Sequence, residues 1–314
     1  MKQLFKHEIK YGLYSKTYLY IVFFLVFLFG IVSFVNYAAV ITTYEDFLLT
    51  ENYYLENDLD MESALKGEFD VQEDGNVHLV ENPLLYSKEM VGIYIYSLSP
   101  KYALTQFLES AFLYFPIVFG TLGLLIAIYD FRYKTIKLKT VRENKLKFGL
   151  VKQASLMVSG LFILIVALLI SFMINYLFYL KMSGIVPTAE FPPNLIDEQM
   201  TSSLLIKFVF AYIISIIFMT IGYTFGVIFK NMYIGFITIV VYTLILPGGL
   251  AVLDLKNSLH YIGNRIFEFY GVLDIDHAKT GTTLLSSIIV LLCAIFLPFL
   301  LNILIMKKRS SFET

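Results

Sequence analysis

The chain has no tryptophan, one cysteine and little charge: Asp, Glu, Lys and Arg make up only 16% of its 314 residues. Soluble domains carry about a quarter, so an ordinary water-soluble globule is excluded. The lone Cys293 lies in the last apolar run, excludes an intrachain disulfide and reads as a small buried hydrophobe. Twenty-three tyrosines take over the interfacial role that tryptophan often fills, with Tyr18, Tyr20, Tyr37, Tyr129, Tyr176 and Tyr179 near the ends of apolar runs. The net charge of −1 and the lack of an aromatic-basic module exclude nucleic acid as the expected partner.

Catalytic signatures are missing as well. No glycine is followed by lysine, so the chain has no phosphate-binding P-loop. His7-Glu8 lacks the second histidine of a zinc-protease helix, and His78, His260 and His277 stand isolated. There is no Gly-x-Ser-x-Gly elbow and no Gly-x-Gly-Asp or Glu-Glu pair. The apolar runs hold no ionisable residue, which argues against a midplane ion relay. The chain therefore reads as a non-enzyme with no metal site and no cofactor of its own.

What is present is apolar. Six uncharged runs, near 17–41, 110–129, 153–180, 208–229, 231–253 and 280–306, are each about 20 residues or longer and can cross roughly 30 Å of hydrocarbon as helices. Charge is sorted between them. Of 24 Lys and Arg, 16 fall in 1–16, 130–152, Lys230 and 307–309, while 21 of 25 Asp and Glu fall in the alternate segments. This is the positive-inside pattern with both termini cytoplasmic. The expected fold is an all-α polytopic membrane protein with six transmembrane helices, an N-terminal interfacial helix and a small extracellular domain between the first two spans.

The segments divide as follows. Residues 1–16 form a basic amphipathic helix, with Met1, Leu4, Phe5, Ile9 and Leu13 at helical spacing and Lys2, Lys6 and Lys10 on other faces. They are too polar for a cleavable signal peptide. The first span covers 17–41. The extracellular segment 42–104 holds 13 acidic residues, with a β-hairpin expected around Asp74-Gly75. The second span covers 105–129, with Glu109 and Asp130 toward its two ends. The cytoplasmic segment 130–152 carries eight basic residues against two acidic. The third span, 153–180, leads to an outer loop, 181–207, broken by Pro192-Pro193. Spans four (208–229) and five (231–253) meet in a tight turn at Lys230. Pro247, Gly248 and Gly249 mark a kink or gate in span five. An extracellular or re-entrant helix in 254–279 precedes span six (280–306) and a cytoplasmic tail (307–314).

This order of parts resembles the ABC-2-type permeases, the membrane subunits of drug, lantibiotic, bacteriocin and polysaccharide exporters. The local resemblance lies in 130–152. Asp130 matches the family's acidic residue, Thr135-Ile136-Lys137 its Thr-Ile-Lys, Arg142 its arginine and Lys152 the lysine opening span three. Lys134 stands where the family has glycine, and Thr140-Val141 where it has Pro or Ser. The resemblance implies a coupling helix that docks on a separate ATPase, with Thr135, Lys137, Arg142, Glu143, Asn144 and Lys145 as its docking residues. ATP and Mg would be bound by that partner.

The expectation is thus a permease subunit in a cell membrane, of bacterial plasma-membrane type, exporting an amphipathic or hydrophobic substrate such as an antimicrobial peptide or drug. A second permease chain, identical or related, and the lipid bilayer are the other expected partners. Tyr114, Tyr242 and Thr243 are candidate pathway residues. The alternatives are a non-transporting sensor or scaffold with a ligand-binding ectodomain, and an ion-coupled carrier.

Overall fold

A computed structural model describes residues 2–74, 77–133, 144–192, 202–245, 253–270, 279 and 281–308. The described elements are α1 (Lys2–Tyr14), α2 (Thr17–Glu56), α3 (Met61–Lys66), β1 (Val71–Asp74), β2 (Val77–Val80), α4 (Pro83–Leu98), α5 (Pro100–Glu109), α6 (Phe115–Arg132), α7 (Lys145–Ser183), α8 (Leu204–Phe229), α9 (Met232–Val240), α10 (Leu255–Ile266) and α11 (Leu284–Lys308). Five helices (α2, α6, α7, α8 and α11) are long and apolar enough to cross a membrane. The molecule is a helical, multi-pass membrane protein.

The expected fifth span, 231–253, is described without a break only as far as residue 245. Its apolar helical stretch, Met232–Leu244, reaches only about 20 Å at 1.5 Å per residue. It loosens into a π-helical turn over Val241–Ile245, and Pro247, Gly248 and Gly249 lie outside the described residues.

The second expected span is divided. Pro116 has no amide hydrogen to give to residue 112, and its ring clashes with that carbonyl. The chain accordingly ends α5 at Glu109, passes through a 3-10 turn (Ser110–Phe112) and starts afresh at Phe115 with Pro116 in the first helical turn. Glu109 therefore sits on a separate short helix, outside the span.

Helix α2 does not stop with the apolar run. Residues 42–56 contain neither Gly nor Pro, and the helix continues to Glu56, where Asn57 caps it and Asp58 takes a left-handed φ of 50°. At 40 residues, α2 is about 60 Å long, twice the hydrocarbon thickness. The 39-residue α7 matches it. Beyond the apolar slab the two helices and α4 share a second core built on Val40, Phe47, Leu84, Val91, Met182 and Phe191. Strand β1 pairs with β2 antiparallel, from Val71 opposite Val80 to Asp74 opposite Val77, and the expected turn residue Gly75 lies outside the described residues.

The main core lies among α2, α6, α7 and α8. Helices α6 and α8 touch through backbone. A Cβ added at Gly123 would lie 2.1 Å from the Met219 carbonyl oxygen, and one at Gly222 would lie 2.0 Å from that of Gly120. Gly226, four residues after Gly222, meets Ala127 and the Leu124 carbonyl in the same way. This small-residue face brings two apolar helices close without needing a hydrophobic driving force.

The basic termini of several helices converge at one end. Leu4 of α1, Phe131 at the end of α6, Phe148 near the start of α7 and Met306 of α11 form one cluster. Lys230, in the αL turn after α8, sits 5.5 Å from the Phe131 ring centroid. Helix α1 turns Glu8 and Gly12 inward and leaves Leu13 exposed, so its buried face is not the apolar stripe alone. Cys293 is also exposed, against the expectation of burial, because α11 leaves most of its surface outside the bundle.

Candidate functional site

The basic end is organised by an ion pair between Lys152 and Asp130. Asp130 comes from the last turn of α6. Lys152 stands two turns into α7, whose first turn is capped by Asn144, its Oδ1 accepting from the Leu146 amide at 3.0 Å. The side chains are only 4% and 2% exposed. Two charges so buried need each other, because either one alone would lose its hydration without compensation. The Lys152 ammonium also lies 5.6 Å from the Phe148 ring centroid.

Helix α1 closes this base. Buried Glu8 joins Tyr11, Tyr18, Tyr129, Lys152 and Ser155 around a cavity of about 20 Å³, room for about one water. Tyr11 packs edge-on against Tyr129 at 4.2 Å, and Tyr18 Oη and Ser159 Oγ share a hydrogen bond of 2.7 Å.

Of the residues expected to dock a partner, Asn144 is the helix cap just described, and Lys145 is the first residue of α7. Thr135, Lys137, Arg142 and Glu143 lie outside the described residues. Asp130 and Lys152, the two positions that bracket the segment in the resemblance, are brought into contact.

A second buried charged group sits at the opposite end. Lys207, early in α8, donates to both carboxylate oxygens of Glu268, at 2.8 and 2.6 Å. Glu109 Oε1 accepts from the Tyr102 hydroxyl and, at 3.0 Å, from the amide of Phe269. The Tyr270 amide donates to Tyr102 Oη at 3.0 Å. These bonds hold the segment after α10, in which Phe269 takes a φ of 54°, a costly conformation for a bulky side chain. Glu109 is 2% exposed, and its Oε2 has no hydrogen-bond partner among the described residues. Burial pushes its carboxyl up to about 7 and outweighs the lowering by the Tyr102 and Phe269 hydrogen bonds. Burial and the neighbouring Glu109 likewise raise the Tyr102 phenol above its ordinary range.

The pathway candidates separate. Tyr242 and Thr243 line one small cleft with Phe112, Pro116, Phe218 and Lys256. The Tyr242 hydroxyl donates to Asp254 Oδ1 at 3.2 Å, and the Thr243 hydroxyl donates to the Ile239 carbonyl at 2.8 Å. Tyr114 caps the start of α6 and is not among the cleft's lining residues.

Sequence reasoning missed two features. One is the Gly222-x-x-x-Gly226 face, whose spacing is visible in the sequence. The other is a buried polar seam between α2 and α7, where the Asn175 amide donates to Ser33 Oγ at 3.5 Å. Asn36 and Ser171 are fully buried and have unpartnered side-chain atoms among the described residues. No family model matches the chain, and neither a curated protein nor a solved structure matches it.

Proposed function

We propose that the chain is the permease subunit of an ATP-binding-cassette exporter in the plasma membrane of a bacterium. It has six spans with both termini cytoplasmic, and it moves an amphipathic or hydrophobic substrate outward on ATP hydrolysed by a separate subunit. The observation that carries this reading is the Asp130–Lys152 pair, which clamps together the two ends of the basic segment. A partner docked on that segment would pull on α6 and α7 at one point.

The packing suggests how such a pull would spread. Helix α6 is seated on α8 through glycines, whereas α7 packs with α2 and α4. The buried pair joins these two groups at the basic end. Nucleotide-driven movement of the segment would tilt one group against the other and open a route between them. The chain has no P-loop to drive this itself. A second permease chain would complete the pathway, and the exposed face of α11 is available to it.

Purification from its native membrane tests the reading. Copurification of a Walker-motif ATPase, whose turnover rises when this protein is added, is the expected result. Substrate movement into inverted vesicles without ATP would overturn it. One observation favours a second reading, an ion-coupled carrier: Glu109 is buried and titrates near neutrality. That reading requires transport driven by a proton gradient alone and lost in Glu109→Gln.

A further inference from the structure

An open apolar groove runs along the basic end of the bundle, between α1, α7 and α11. Its volume is about 550 Å³, within the range of small-molecule sites. Phe5, Leu150, Val151, Ala154, Met157 and Phe299 line it, and the one charged side chain at its edge is Lys2. The walls come from two spanning helices and the amphipathic helix, so the groove lies where the hydrocarbon layer meets the headgroups. We infer that it is a binding site for one acyl chain of an anionic phospholipid, with the headgroup phosphate at Lys2.

Charge selects this occupant over the others. Lys2 stands at the rim, and Lys6 and Lys10 are exposed further along the same helix, so the neighbourhood of the groove is basic. A second copy docking here by two-fold symmetry would set these lysines against their own counterparts. The chain's own last residues begin Lys307-Lys308-Arg309 and meet the same repulsion. A lipid with an apolar tail and an anionic head satisfies both the lining and the rim. The inference does not depend on the exporter reading, because it concerns how α1 is held to α7 and α11 in any membrane.

The full chain is exchanged into detergent micelles containing equal amounts of phosphatidylglycerol and phosphatidylcholine, and retained lipid is counted by native mass spectrometry. The wild type is expected to retain phosphatidylglycerol over phosphatidylcholine by about fivefold, the preference one lysine contact supplies. Lys2→Gln should bring the two lipids near parity. Ala154→Phe projects a ring into the groove from an exposed position and should abolish retention with thermal stability unchanged; Met157→Trp serves if that variant does not fold. Equal retention of both lipids by the wild type, or undiminished retention in the filled variants, would overturn the proposal. So would a dimer that dissociates when the groove is filled, since the groove would then be an interface between copies.

Discussion

Asp130→Leu leaves the Lys152 ammonium inside the bundle at 4% side-chain exposure with its carboxylate removed. Stranding one member of a buried pair costs about 3–5 kcal/mol. Glu8, on the wall of the same cavity, places a second carboxylate near the ammonium and draws the value toward the lower end. Lys152→Met removes the cation and should cost a similar amount. The double variant, Asp130→Leu with Lys152→Met, fills the site with apolar groups of comparable volume, which is often neutral or stabilising. The two single costs should therefore fail to add, with a coupling energy of about 3 kcal/mol or more. Unfolding in detergent micelles, followed by far-ultraviolet circular dichroism, gives the three differences against the wild type. Additive costs, or a double variant worse than either single one, would refute the view that the two charges support each other.

Three further outcomes follow from the packing and the opposite end. Gly222→Leu must displace α6 from α8, because even a Cβ would lie 2.0 Å from the Gly120 carbonyl oxygen; a loss of about 1–3 kcal/mol is expected, while the same change at Gly30, which faces open space, should cost far less. Glu109 has its carboxyl raised from 4.5 to about 7 in the folded protein. Its contribution is then fully present below pH 4.5 and is lost as pH rises through 7, by about 3 kcal/mol in all; Glu109→Gln should flatten that part of the stability–pH curve. Asn36→Leu should leave thermal stability unchanged or raised, because neither amide atom has a partner among the described residues.

The membrane character, the helical N-terminus and the pairing of two short strands were legible, because each rests on local pattern. The extent of the helices was less so. The apolar run ends near residue 41, whereas α2 runs on to Asn57-Asp58, where a left-handed residue ends it. Pro116 was visible, but its effect on the second run depends on whether a helix can bend past it or must restart. The contacts of the charged sites were hidden by distance along the chain. Lys207 and Glu268 are 61 residues apart, and Glu109 and the Phe269 amide are 160 apart. Asp130 and Lys152 were noticed through a family resemblance; their contact is tertiary. The glycine face could have been read from the spacing of Gly222 and Gly226, with Gly120 and Gly123 as its counterpart.

In the proposed exporter, energy would enter through the basic segment between α6 and α7. The most direct test is whether any ATPase that copurifies with the wild type also associates with purified Arg142→Glu, Lys145→Glu protein. The double variant is expected to keep wild-type helicity and thermal stability, to lose the ATPase and no longer to raise its ATP turnover. A folded double variant that binds and stimulates the ATPase as the wild type does would contradict the proposal.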